Sequence, residues 1–122
     1  MSNLVPYRLL TTILLLVNPL VGLADEAKGS DTEKVARHVY YSGQVQGVGF
    51  RATAAEIAQG YQVTGWVKNL DDKRVELLVE GPEQDVLKFL EAVHNRWKDN
   101  IDKEEVEKKK PTGEFKGFSV RR

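Results

Sequence analysis

Three glycines and one arginine lie close together in the middle of the chain, at Gly43, Gly47, Gly49 and Arg51. Glycine permits positive φ angles, so successive backbone N–H groups can converge on one point and form an anion site. A helix that begins near Phe50 would direct its unpaired N–H groups at the same point. An arginine in that first turn is unfavourable by about 0.3–1 kcal/mol unless an anion is bound nearby. The pattern indicates a phosphate held by the loop and by a bidentate guanidinium.

The same residues have a simpler interpretation, a tight glycine-containing turn followed by an exposed arginine, and the glycines alone favour it. Two other phosphate motifs do not fit. A nucleotide P-loop needs Gly-Lys-Ser or Gly-Lys-Thr, which is missing here, and a dinucleotide fingerprint needs a different glycine spacing.

Regular secondary structure is predicted on both sides of the loop. His38–Val45 is rich in β-branched and aromatic residues and predicts a first strand. A helix follows, because apolar side chains recur at helical spacing: Phe50, Ala54, Ile57, Ala58 and Tyr61. Gly60 is expected to end this helix, and Tyr61–Leu70 returns to strand composition.

The second half of the chain repeats this order. Asp71–Arg74 is a polar turn that leads into a hairpin partner strand, Val75–Glu80. A second helix is predicted to begin at Pro82, and its apolar face comprises Val86, Phe89, Leu90, Val93 and Trp97. Ile101–Lys110 predicts a strand that is largely polar on one face, and Phe115–Arg121 can form a short last strand.

The predicted order is therefore strand, helix, strand, strand, helix, strand, with an extra strand allowed at the end. It indicates an α+β fold, the ferredoxin-like α/β sandwich (βαββαβ), with two helices on one face of an antiparallel sheet. This fold hosts many unrelated functions, so it does not by itself specify one.

The first 24 residues differ in composition from the rest. Arg8 is their only charged side chain, an apolar run extends over Leu9–Val17, and Gly22-Leu23-Ala24 supplies small residues for a cleavage site. This pattern predicts a secretory signal peptide at 1–24, and hence an exported, periplasmic or secreted protein.

An uncleaved membrane anchor is the alternative for this segment. It is less favoured because a span needs about 20 apolar residues, more than this run provides. The polar segment 25–36 predicts a flexible leader, and residues 37–122 are predicted to form the single folded domain.

Composition excludes several classes of function. Lysine plus arginine equals aspartate plus glutamate, at 18 each, so bulk charge does not indicate a nucleic-acid partner. The chain has no cysteine, which excludes thiolate nucleophiles and disulfides. His38 and His94 are isolated and no carboxylates have ligand spacing, so no metal or other cofactor is expected. A domain this small can function as a monomer, which is our expectation.

Two segments carry a family resemblance. Gly43-x-Val45-Gln46-Gly47-Val48-x-Phe50-Arg51 resembles the first signature of the acylphosphatase family. The second signature follows in that family's order, as Gly65-Trp66-Val67-Lys68-Asn69 and then Val75 and Gly81. The resemblance covers about residues 37–122.

The resemblance implies hydrolysis of a small acyl phosphate without a metal. It assigns phosphate binding to Arg51 and to the loop N–H groups of Gln46, Gly47, Val48, Gly49 and Phe50, and it assigns orientation of the attacking water to Asn69. From composition alone, Asn69 would be a turn-capping residue at a strand end. The leaving group is a carboxylate, so the enzyme must supply mainly electrostatic stabilisation and a positioned water.

Two features depart from the family pattern. Lys73 stands in the hairpin turn where the family usually has glycine, and Ile101–Lys110 is unusually charged. The alternative interpretation is a non-catalytic, exported module of the same fold that binds an anion or a partner. An RNA-recognition module would need a basic-aromatic strand motif, which is absent, although either Tyr40 or Tyr41 should be exposed.

Overall fold

The computed structural model describes residues 33–122. The predicted signal peptide at 1–24 and the first eight residues of the predicted leader, 25–32, lie outside the described residues. Seven elements follow one another in the predicted order: β1 (Lys34–Gly43), α1 (Phe50–Ala58), β2 (Thr64–Asn69), β3 (Val75–Pro82), α2 (Glu83–Trp97), β4 (Ile101–Lys109) and β5 (Phe118–Arg121).

The five strands form one sheet in the order β4-β1-β3-β2-β5. Strands β1 to β4 are antiparallel to their neighbours and share one core with both helices, which confirms the ferredoxin-like α+β fold. The extra last strand that the sequence allowed is present and pairs with β2 in parallel, so the five-stranded sheet is mixed. After β4 the chain crosses to the opposite edge of the sheet and enters β5 in the direction of β2.

The core lies between the helices and alternate residues of the central strands. Val39 and Tyr41 of β1 and Leu77 of β3 are fully buried, following the two-residue period of a strand. The predicted apolar face of α2 is confirmed. Leu90 is partly buried, and the other four residues are buried: Val86, Phe89, Val93 and Trp97. This core fixes β1 and α1, and therefore both ends of the glycine loop.

The first strand begins earlier than the sequence pattern suggested. Lys34, Val35 and Ala36 belong to β1, and Ala36 is fully buried, so these residues are part of the sheet rather than of the leader. Ala36 pairs with Glu80 on one side and with Lys109 on the other. Backbone pairing to two neighbouring strands orders this segment, a constraint that a polar composition does not reveal.

Two helix boundaries differ slightly from the prediction. α1 ends at Ala58, and Gly60 does not adopt the left-handed conformation of a glycine stop. Instead, the chain turns through consecutive i→i−3 hydrogen bonds, in which Gly60 N–H donates to Ile57 O and Tyr61 N–H to Ala58 O. Pro82 is the N-cap of α2 rather than its first residue.

A buried carboxylate holds the connection between β4 and β5. Glu80 is only 4% exposed, and it accepts hydrogen bonds from the Thr112 N–H (2.9 Å), the Thr112 hydroxyl (3.0 Å) and the Gly113 N–H (3.0 Å). These charge-assisted bonds offset the cost of burying the carboxylate. They set the route by which the chain reaches β5.

β4 is a charged edge strand, as its sequence predicts. Of its nine residues, only Ile101 and Glu104 are half-buried, and Val106 is 53% exposed. The many charged side chains of this edge strand discourage pairing with a further strand.

The β2–β3 hairpin closes through a three-residue loop, Asp71-Asp72-Lys73. Leu70 N–H donates to Arg74 O (2.8 Å), and Lys73 N–H donates to Leu70 O (3.2 Å). Lys73 has φ 80°, the left-handed conformation that such loops normally give to glycine. The backbone N–H and guanidinium of Arg74 donate to Asp72, and these hydrogen bonds hold the pKa of that carboxyl below its usual value. The turn therefore keeps the shape that glycine would favour, although lysine occupies the position.

We expect Lys73→Gly to stabilise the protein. A non-glycine residue in this conformation destabilises the folded state by about 1–3 kcal/mol, and glycine removes this strain. The greater backbone freedom of glycine in the unfolded chain offsets about 0.5–1 kcal/mol of the gain. Thermal unfolding should show a midpoint several degrees higher. Lys73→Ala is the matched control, because alanine removes the same side chain but keeps the strain. Equal midpoints for the two variants would contradict the argument.

Candidate active site

A cleft of about 470 Å³ opens between the N-terminal end of α1 and the ends of β2 and β5. It brings together five residues that the sequence predicted for the site: Gly47, Gly49, Phe50, Arg51 and Asn69. Its remaining lining comprises Val45, Ala52, Val120 and Arg122. Among these residues two are arginines and none is acidic, so the cleft suits an anion.

Two buried side chains fix the glycine loop at its ends. Val45 is fully buried where the loop leaves β1, and Phe50 is buried at the start of α1. The Phe50 ring stacks on Trp97 (centroids 5.3 Å apart) and lies 4.9 Å from the ring of Tyr41. The core therefore fixes the backbone at both ends of the loop.

The loop backbone has the conformation that an anion site requires. Gly47 and Gly49 have φ 76° and 91°, and Gly49 is the N-cap of α1 in the left-handed conformation. No side chain caps the helix. Within residues 33–122, none of the N–H groups from Gln46 to Phe50 donates to a protein acceptor. These donors face no internal competitor for a bound anion.

Arg51 lies in the first turn of α1 and is half-buried. Its Nη1 donates to the carbonyl oxygen of Arg121 on β5 (3.3 Å), which leaves most of its five N–H donors unused. The first turn contains no acidic residue, and no carboxylate of the described residues forms an ion pair with Arg51. Its charge thus adds to the positive end of the helix dipole instead of being compensated.

Asn69 is the last residue of β2, where it pairs with Val75 of β3. Its Oδ1 atom is buried and accepts no hydrogen bond from the described residues. An unpaired buried acceptor costs about 1–3 kcal/mol, so an ordered water or a ligand is expected to satisfy such an atom.

Gln46 and Val48 do not line this cleft. Val48 is 42% exposed, and both residues border a second cavity on the other side of the loop, together with Lys73. The predicted roles of Gln46 and Val48 concerned their backbone N–H groups. The Gln46 side chain instead reaches the β2–β3 hairpin, a contact that the sequence motif did not indicate.

Sequence reasoning missed the contribution of β5. Arg121 pairs with Lys68 in the parallel β2–β5 ladder, so the next residues, Arg122 and Asn69, reach the same end of the sheet. No motif marks Val120 or Arg122. Their place depends on which sheet edge the last strand joins, and a short strand does not encode that choice.

Fold and cleft together define a ferredoxin-like α+β domain with a cleft, lined by two arginines and by no acidic side chain, at its first strand–helix loop. The family model for acylphosphatases matches residues 37–120. The chain is 49% identical to an acylphosphatase of Haloarcula marismortui over 85 residues, which are 69% of this chain and 92% of that protein. It is 42% identical to one of Pseudomonas aeruginosa over 90 residues, 73% of this chain and 98% of that protein.

A solved structure agrees with these relatives. The crystal structure of acylphosphatase from Bacillus subtilis aligns with a TM-score of 0.65 at 34% identity, over 72% of this chain and 99% of that chain. The chain described here belongs to the acylphosphatase family. The prediction of an enzyme of this family is confirmed.

Proposed function

We propose that the protein hydrolyses an acyl phosphate to a carboxylate and inorganic phosphate by in-line attack of a water molecule. The observation that carries this proposal is the meeting of Arg51, the free loop N–H groups and Asn69 in one cleft. Breaking the mixed anhydride releases a carboxylate, which is stable as an anion at neutral pH. No carboxylate or histidine lines the cleft, and this chemistry needs little help from a general acid.

Arg51 and the loop bind the phosphoryl group in this mechanism. Charge on the transferring group is spread over its three equatorial oxygens. A guanidinium contacts two of them, while the N–H groups from Gln46 to Phe50 surround the third. Because these donors are already oriented, they stabilise the transition state without reorganisation.

Asn69 orients the water. A side-chain amide can accept one hydrogen bond and donate another, so it can hold a water in a single orientation. The position of Asn69 in the lining of the same cleft as Arg51 supports this role. Positioning alone can supply a large part of the rate enhancement, because no covalent intermediate forms.

The direct test is hydrolysis of benzoyl phosphate by the purified full chain in the presence of a chelator. We expect turnover, competitively inhibited by inorganic phosphate. A folded sample that binds phosphate without turnover would support the non-catalytic binding module instead.

The proposal includes export from the cell. The composition of residues 1–24 supports it, with one charge, an apolar run and a small-x-small end. Among residues 33–122, no helix is long and apolar enough to span a membrane. Sequencing of exported protein should find Asp25 at the mature N-terminus, whereas an intact Met1 in the membrane fraction would favour the anchor.

A further inference from the structure

The side chain of Gln46 connects the phosphate loop to the β2–β3 hairpin. Its Nε2 atom donates to the carbonyl oxygen of Leu70 (2.8 Å) and to that of Arg74 (2.9 Å). Both hydrogens of the amide nitrogen are therefore used, and the side chain has one orientation. Both bonds are partly buried, which makes the loss of either donor costly.

The two acceptors are the ends of the hairpin loop. Leu70 and Arg74 face each other across it, joined by the Leu70 N–H to Arg74 O bond (2.8 Å). Leu70 directly follows Asn69, so the contact lies one residue from the side chain that is proposed to hold the water. A shift of this hairpin end would move Asn69 with it.

Two other hydrogen bonds of the loop are to the turn before β4. Gln44 N–H donates to Asn100 O (2.9 Å), and Asn100 Nδ2 donates to Gln44 O (3.0 Å), so the start of the loop is tied to the turn before β4. In the described part of the chain, Gln46 supplies the only hydrogen bonds between loop residues 45–49 and hairpin residues 69–74. The phosphate-binding and water-binding parts of the cleft thus share one polar link.

We propose that Gln46 is a positioning residue that sets the distance between the phosphoryl group on the loop and the water held by Asn69; this rests on the proposed function. In-line attack requires the two reacting atoms to be held within about 0.5 Å of the productive geometry. A misplacement of about 1 Å can cost roughly 100-fold in rate.

Gln46→Met tests the proposal, because methionine keeps the length and removes both donors. We expect kcat on benzoyl phosphate to fall about 10-fold, while the inhibition constant of inorganic phosphate changes less than about 2-fold. The loop N–H groups and Arg51 remain in place, which is why binding persists. Gln46→Asn keeps the amide but cannot reach both carbonyls, and it should give the same result if the methionine variant does not fold.

A double-mutant cycle separates positioning from general stabilisation. In an Asn69→Ala background, Gln46→Met should lower kcat less than about 2-fold, because the residue through which it acts is gone. Independent, multiplicative losses in the cycle would overturn the proposal. Gln59→Met, at an exposed position after α1, is a control expected to keep kcat.

Hydrogen exchange gives a readout that needs no activity. In Gln46→Met, exchange at the Leu70 and Lys73 amides should accelerate relative to amides of β4. Absence of turnover in the wild-type protein would count against the proposed function. Hydrogen exchange would still show whether Gln46 holds the hairpin end in place. Unchanged exchange at Leu70 and Lys73 would overturn the proposal for Gln46.

Discussion

Arg51→Ala should lower kcat/KM on benzoyl phosphate by about 1,000-fold or more and should weaken inhibition by inorganic phosphate. Arginines that stabilise the charge of a transferring phosphoryl group contribute about 10³–10⁵ in rate. Arg51 is the guanidinium in the first turn of α1, and no described carboxylate neutralises it. Steady-state kinetics with phosphate as inhibitor measures both effects.

The stability of the Arg51→Ala variant should distinguish a functional from a structural arginine. Removing a cation from a helix N-terminus relieves about 0.3–1 kcal/mol, which offsets the lost 3.3 Å bond to Arg121 O. We therefore expect an unchanged or higher unfolding midpoint. Arg51→Lys keeps the charge without the bidentate geometry and should fall between wild type and alanine. Arg96→Ala, at an exposed position of α2, is the matched control; a fully active Arg51→Ala enzyme would refute the assignment.

Asn69→Ala should lower kcat by about 10²–10³ while the inhibition constant of phosphate stays within about 2-fold. Its amide acts on the attacking water, which free phosphate does not require. Loss of phosphate binding in this variant would show that Asn69 belongs to the anion site and would contradict its role. Asn95→Ala, exposed on α2, controls for the substitution itself.

Stability adds a second test for Asn69. The Oδ1 atom has no partner among the described residues, so truncation to alanine breaks no hydrogen bond that this atom makes to them. We expect the Asn69→Ala variant to unfold at the same or a higher temperature than wild type. A strongly destabilised variant would indicate the turn-capping role that composition alone suggested.

The two variants should differ in their inhibition by phosphate, which is weakened in Arg51→Ala and unchanged in Asn69→Ala. This difference is the most specific test of the mechanism. In the proposed mechanism Arg51 contacts the phosphoryl group in both ground and transition state, so its loss should affect binding and turnover. Asn69 would contribute only when water attacks, so its loss should affect turnover alone.

Local pattern was sufficient to predict the elements of the fold. The apolar face of α2 recurs at 3.6-residue spacing and is buried as expected, from Val86 to Trp97. The glycines of the loop indicated positive φ angles, which Gly47 and Gly49 adopt. These predictions succeeded because periodicity and glycine conformation are properties of short segments.

Other features depend on contacts between distant segments. Ala36 ends a polar stretch of the sequence, yet it belongs to β1 because two neighbouring strands pair with it. Lys73 carries a conformation that its residue type disfavours, because the hairpin partners on either side hold the turn closed. In both cases the backbone hydrogen bonds of paired strands outweigh the preference of the single residue.

By itself, the sequence determined the order of strands and helices, the glycine loop between β1 and α1 and the placement of Arg51 at the first turn of α1. Only the tertiary structure decided that β5 runs parallel to β2, that Arg122 therefore reaches the cleft beside Asn69, and that Gln46 turns toward the hairpin. The physical reason is that propensity and spacing act over a few residues. Packing across the whole sheet sets which edge a strand joins and which carbonyl a side-chain amide contacts.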